Sequence, residues 1–304
     1  MHSKIDINTE KNTAVVDGLT IKLAKEYEDT STWMGQDLAS HQLKAAWLRF
    51  SHDDQPMSPR IVGKPGVGKT TLAISIAREL GFPVYLMQGT SDTRPDDLII
   101  TPIITEGKQI VYVASPLVTA MLVGGVCILD EGNRMSEKSW ASLTSLLDHR
   151  RYVDSIIAGV RIHAHEEFRF VTTMNDDASV FDLPEYIQSR LNPQIFLDFA
   201  DAQTEARIIQ QAVPYVELDF LNMLIHFLAI GHQFDESYSV RDGIQIAKYA
   251  HRLRALNPNL TIPKALKAGI FSVLGEVALK YIPPVDAQSS PDSPSEHHPH
   301  LRPV

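Results

Sequence analysis

The stretch Gly63-Lys64-Pro65-Gly66-Val67-Gly68-Lys69-Thr70-Thr71 fits the pattern GxxxxGK[ST]. It constrains the chain strongly because such a loop needs a strand entering it and a helix leaving it. Its glycines let the backbone turn tightly, so that N–H groups wrap a nucleotide's phosphates while Lys69 and Thr70 reach the terminal phosphates and Mg²⁺. The flanks meet the requirement: Arg60-Ile61-Val62 is short and β-prone, and Thr71 to Leu80 spaces Leu72, Ile76 and Leu80 along one helical face. Each residue from Gly63 to Thr71 is therefore a candidate nucleotide-binding residue, and Thr70 a candidate Mg²⁺ ligand.

Downstream, Val126-Cys127-Ile128-Leu129 is an apolar strand ending in Asp130-Glu131. Two carboxylates at a strand tip suit ATP hydrolysis, with Asp130 holding Mg²⁺ and Glu131 polarising the attacking water. A third β-prone run, Phe168 to Met174, ends in Asn175, a polar side chain that can lie between the two preceding strand tips and position that water. The plainer alternative for Asn175 is a turn before Asp176-Asp177.

Composition limits the remaining possibilities. A chain of 304 residues that is 44% hydrophobic and 21% charged is long enough for two packed domains. The net charge of −9 disfavours a broad nucleic-acid or anionic-lipid footprint. The single cysteine, Cys127, has no internal disulfide partner and lies in an apolar run, which points to a reducing, cytoplasmic compartment. Met1 to Glu28 is polar and mixed in charge, without the pattern of an export signal. The apolar segment Leu117 to Leu129 is short for a bilayer and is interrupted by Gly124-Gly125, so it reads as a buried helix followed by a buried strand.

Residues 1–30 read as a polar leader. Trp33-Met34-Gly35-Gln36 then turns into an amphipathic helix carrying Leu38, Leu43, Ala46, Trp47 and Leu48. From Arg60 to about Phe199, short β-prone runs alternate with helical ones, the strand candidates being Arg60 to Val62, Pro83 to Met87, Val126 to Leu129, Phe168 to Thr173 and Gln194 to Leu197. That alternation predicts an α/β fold with a mainly parallel sheet over residues 31–200. Two hairpins interrupt it, Leu98 to Ala114 turning at Glu106-Gly107-Lys108, and Tyr152 to His165 turning near Ala158-Gly159. Trp140, Leu143, Leu146 and Leu147 recur helically and belong to the core.

Residues 201–282 read as a small helical domain, with helices at about 202–212, 216–230, 240–256 and 262–282 and a capping pair at Ser239 and Asp242. Residues 283–304 have the composition of a disordered tail. Alternating His163 and His165 ahead of Glu166-Glu167 suggest a metal, but the further converging ligands that a site needs are not apparent. His297, His298 and His300 read as solvated.

Five marks in order, GKPGVGKTT, DLIITPIITEGKQIVYVASPLVTAMLVGGVCILDEGNRM, FRFVTTMN, LPEYIQSRLNP and SVRDGIQIA, make the chain from about Trp33 to Tyr281 resemble the AAA+ ATPases. More narrowly it resembles their MoxR-like, dynein-related branch, which carries an insert in helix 2. The resemblance implies a P-loop three-layer αβα core with that insert, followed by a small all-helical lid. It implies that Asp130 and Glu131 are the Walker B pair, Asn175 sensor 1, Arg190 in Gln188-Ser189-Arg190-Leu191 the arginine finger, and Arg241 in Ser239-Val240-Arg241 sensor 2. An arginine finger acts on a neighbouring subunit's γ-phosphate, so hydrolysis of ATP with Mg²⁺ then requires a homo-oligomeric ring, by resemblance a hexamer.

Relatives of this kind act as chaperone-like activators of protein clients, commonly with a partner bearing a von Willebrand factor A domain. Two departures from the pattern bear on subfamily and partner more than on ATPase chemistry: Ile99-Ile100 after Asp97-Leu98 in place of Gly, and Leu191 after the finger in place of Phe. Two other functions fit the same marks, a nucleotide-gated assembly switch with little turnover and the motor subunit of a nucleic-acid-processing complex.

Overall fold

The structure, a computed structural model, describes residues 5–8, 10–29, 32–51, 53–176 and 183–282. The expected tail and its histidines lie outside the described residues. The stretch read as a polar leader instead forms an antiparallel meander, β1 (Ile5–Asn8), β2 (Thr13–Val16) and β3 (Leu19–Lys22). Ala14, Val16 and Ile21 turn inward to full burial, and that inward set is what fixes these short strands in place.

Helix α1 (Asp37–Trp47) buries Ala39, Leu43, Ala46 and Trp47. Leu38 and Leu48, expected on the same face, are exposed, because their positions fall off that stripe.

Next come β4 (Arg60–Gly63), α2 (Lys69–Glu79), β5 (Val84–Gln88) and the hairpin β6 (Ile100–Ile104) and β7 (Ile110–Ala114). Helix α3 (Pro116–Val123) and β8 (Val126–Asp130) follow as the buried helix and strand predicted there. After α4 (Glu137–Ala141) come a second hairpin, β9 (Tyr152–Ser155) and β10 (Val160–His163), then β11 (Arg169–Asn175), α5 (Glu185–Gln188) and β12 (Gln194–Phe196). Leu80, read as part of the buried face of α2, caps that helix and is 42% exposed. Trp140, Leu143, Leu146 and Leu147 are buried, but α4 stops at Ala141 and the rest of the set sits in turns rather than on a continuous helix.

The core sheet has the order β12-β4-β11-β8-β5, with every neighbouring pair parallel. A parallel sheet is covered on both faces, and β8 shows how one strand serves both. Val126 and Ile128 pack with α1 and α2 residues, while Cys127 and Leu129 pack with α3 and Trp140. The result is a three-layer αβα sandwich. The second sheet has the order β1-β2-β3-β7-β6, because β3 pairs in parallel with β7. The amino-terminal meander and the inserted hairpin thus share one sheet and one apolar cluster with α3.

Beyond β12, α6 (Ala202–Ala212), α7 (Leu218–Gln233), α8 (Val240–Leu256) and α9 (Ile262–Leu274) pack around a separate core that includes Ile209, Leu224, Phe227, Leu228, Ile246 and Ile270. The Ser239–Asp242 capping box opens α8. The last helix is shorter than its apolar spacing suggests, since Gly275 at φ 86° ends it and a 3₁₀ turn, Glu276–Tyr281, follows. No described helix is long and apolar enough to cross a membrane.

Candidate active site

The carboxyl ends of β4, β11 and β8 lie side by side, the edge at which parallel α/β sheets present their ligand loops. Register puts Asn175 beside Gly63, and Asp130 ends the strand on the other side of β11. Between β4 and α2 the backbone passes through Gly66 at φ 80° and Gly68 at φ 99°, values that side chains resist. Space forbids them as well: a Cβ at Gly66 would lie 2.3 Å from Ser239 Oγ, and one at Gly68 would lie 2.9 Å from the Trp33 ring.

Lys69 is nearly buried, and its ammonium donates to Gly63 O at 2.8 Å, Lys64 O at 2.9 Å and Asn175 Oδ1 at 2.9 Å. Those acceptors offset the cost of removing the charge from water and hold it at the mouth of the loop. Thr70 Oγ1 donates to Asp130 Oδ1 at 2.7 Å, and Thr173 Oγ1 donates to the same oxygen. A threonine hydroxyl and a carboxylate meeting at the loop form a hard-oxygen donor set of the kind that suits Mg²⁺.

Glu131 follows with its backbone in the left-handed region, φ 54° and ψ 38°, which costs a non-glycine residue energy and is typical of functional turns. Its amide donates to Thr173 Oγ1 at 3.1 Å. Its Oε2 accepts from Gln88 Nε2 at 3.1 Å and lies 3.1 Å from Arg134 Nε. Asn133 Nδ2 donates to Asn175 O at 2.9 Å, pinning the tip of β11. Gln88 and Thr173 are not legible in the sequence, because only proximity in space connects them to the carboxylates, while Asn133 and Arg134 lie near Glu131 in the chain but are aimed by the turn that follows it.

A cavity of about 100 Å³ brings together Pro65, Gly66, Gly68, Lys69, Thr70, Thr71, Asp130, Glu131, Asn175 and, from the helical domain, Arg241. Of the other predicted loop residues, Gly63 contributes its carbonyl to Lys69, and Val67 lines the adjoining cleft. Lys64 departs from expectation: its ammonium turns away to Asp235 Oδ1 at 2.6 Å. Arg190 is absent from the cavity lining. Its guanidinium donates to Tyr186 O, and its Nε lies 3.8 Å from Asp148, whose carboxyl the Arg150 hydrogen bonds hold down at about 2.

The adjoining cleft, of about 510 Å³, runs between Trp33–Gln36, Phe199 and the helical-domain residues Ile208, Val240 and Ile244. Its apolar walls with a few amides (Gln36, Gln211 and Gln245) suit a planar heterocycle. The sequence signal for this cleft was slight, since Trp33 to Gln36 read only as a turn. The metal suggestion at His163 and His165 gains nothing: among the described residues no three His, Cys, Asp or Glu side chains are grouped to hold an ion.

Residues 60–191 match the AAA domain of the dynein-related subfamily. The gas vesicle ATPase GvpN of Haloferax mediterranei is 24% identical over 219 residues, covering 62% of this chain and 60% of that protein. An uncharacterised protein of Staphylococcus aureus strain USA300 is 26% identical over 154 residues, covering 49% and 58%. The chain therefore spans less than two thirds of the length of either relative. A Thermotoga maritima RuvB mutant superposes with a TM-score of 0.56 at 20% identity, covering 82% of this chain and 73% of that one, a likeness of fold. Residues 60–191 thus carry the match to an AAA domain of the dynein-related subfamily, and both the P-loop and the Asp130-Glu131 strand tip fall inside it.

Proposed function

We propose that this chain binds ATP with Mg²⁺ between its α/β core and its helical domain and hydrolyses it, working as a MoxR-like remodeller of a protein client. The observation that carries the reading is the cavity in which Lys69, Thr70, Asp130, Glu131, Asn175 and Arg241 converge. In such a site Lys69 and the loop amides hold the phosphates, and Mg²⁺, held by Thr70 and Asp130, supplies charge to the transferring group. Glu131 orients and polarises the attacking water, with Asn175 beside it. Gln88 and Arg134 both meet Glu131 Oε2, and so hold the carboxylate in place at the edge of the cavity.

Arg190 sits outside its own chain's cavity. This supports a role across a subunit boundary, and with it a ring, by resemblance a hexamer; a cytoplasmic setting is part of the same proposal. A partner with a von Willebrand factor A domain is the companion this reading expects. The test is ATPase rate against protein concentration for the parent and for Glu131→Gln, with the mass in solution measured alongside. A rate per subunit that climbs cooperatively, tracks a ring-sized species and vanishes in the variant supports the motor. A flat rate from a monomer rejects it.

One observation favours a second reading. The restraint of Glu131 by two donors also suits a nucleotide-gated switch with little turnover, and retained ATP-driven assembly without hydrolysis identifies that case. The likeness to RuvB is one of fold, and a net charge of −9 offers no broad basic surface, so nucleic acid is expected to leave the rate unchanged.

A further inference from the structure

Lys64 belongs to the phosphate loop by sequence, yet its side chain bridges to the helical domain. Its ammonium lies 2.6 Å from Asp235 Oδ1, just past α7, and 5.3 Å from the ring centre of Phe199 in the segment joining β12 to α6. Phe199 in turn stacks on His232 in the last turn of α7, with ring centres 3.9 Å apart and planes 8° from parallel. His232 Nε2 meets the Tyr238 carbonyl oxygen at 2.7 Å. A carbonyl can only accept, so Nε2 carries the proton.

The next residue, Ser239, is the N-cap of α8, locked to Asp242 through its amide at 2.8 Å and its hydroxyl at 2.7 Å. Two positions further on, Arg241 enters the phosphate cavity. The circuit closes at the loop itself, where a Cβ on Gly66 would lie 2.3 Å from Ser239 Oγ and 3.6 Å from Arg241 Cβ.

An ion pair ending on an exposed carboxylate adds little by itself. Its value here is directional, since it holds the cation against a half-buried ring stack that abuts the start of α8. We propose that Lys64, Phe199 and His232 are positioning residues that fix the amino terminus of α8, and so Arg241, against the phosphate loop. They give the loop a mechanical route to the helical domain separate from Arg241's own approach to the nucleotide. This rests on the ATP reading of the cavity for its function, though the geometry stands without nucleotide.

The experiment measures the core-to-lid distance by pulsed electron resonance between labels at Asp92→Cys and Lys267→Cys, both exposed positions, in a chain whose own cysteine is buried. Lys64→Met and His232→Ala are expected to broaden the distance distribution with and without ATP, while Lys64→Arg keeps it narrow. The same His232→Ala change should weaken ATP binding about tenfold. Added to Arg241→Ala it should bring no further loss, because both act through one guanidinium. An unchanged distance distribution in His232→Ala, or losses that multiply in the double variant, overturns the relay. Failure of the parent to bind ATP would instead remove the nucleotide reading, and the distance measurement would still judge the relay.

Discussion

A carboxyl group buried without a partner reports on pH, and Glu205 in α6 is one. It is 1% exposed, its Oε1 has no hydrogen-bond partner among the described residues, and burial, with the Asp201 charge adding, raises its pKa to about 7 from 4.5. The folded value lies above the unfolded one, so the contribution is full below pH 4.5 and is lost as pH rises through about 7. The ceiling is on the order of 3 kcal/mol. Glu205→Gln should therefore melt higher than the parent at pH 8, with the gap closing toward pH 4.5, and melts at the two pH values check it.

At the cavity, Lys69→Ala removes the cation that binds Asn175 and two loop carbonyls, and titration should find ATP binding lost. Glu131→Gln keeps the shape but removes the carboxylate proposed to polarise the water. Binding should persist while turnover falls by about 10²- to 10⁴-fold.

Among the elements, the strand-loop-helix unit around residues 60–79 was legible because each part imposes the next: β-prone entry, glycines at φ above zero, then a helical stripe. The turn after Asp130 was not. There Gly132 lies so close to β11 that a Cβ would come 2.2 Å from Thr172 Oγ1 and 2.9 Å from the Trp140 ring. Thr172 is held by its bond to Leu129 O at 2.9 Å, and Trp140 by its indole bond to Gly132 O at 3.0 Å, so neither gives way easily. Gly132→Ala should cost about 1–3 kcal/mol, read as a lower urea midpoint with unchanged slope. The strands β1 to β3 escaped reading for another reason. Each offers only one or two inward residues, and the partner that completes their sheet, β7, lies some ninety positions along the chain.

For the whole molecule the question is what completes the site. Arg190 is held by Tyr186 and faces Asp148 outside the cavity, whereas Arg241 reaches it from the same chain. Arg190→Ala should bind ATP normally and lose about 10³-fold in turnover. Mixed with Glu131→Gln it should regain part of the rate, because some interfaces then join an intact Glu131 to an intact Arg190. If Arg190 acts within its own chain, the mixture stays as slow as its components.

Local sequence determined the P-loop, the Asp130-Glu131 strand tip, the β11 strand ending at Asn175, the α/β alternation and the capping box of α8. All of these are short-range: neighbouring residues set backbone conformation and periodic burial, and the signal fits within one element. Only the tertiary structure decided that residues 5–22 join the inserted hairpin in one sheet, that Gln88 holds Glu131, and that Lys64 turns from its own loop to Asp235. Each of those depends on a partner far along the chain, whose position is fixed by packing two layers on the sheet and a helical domain beside it. No run of adjacent residues encodes that distance.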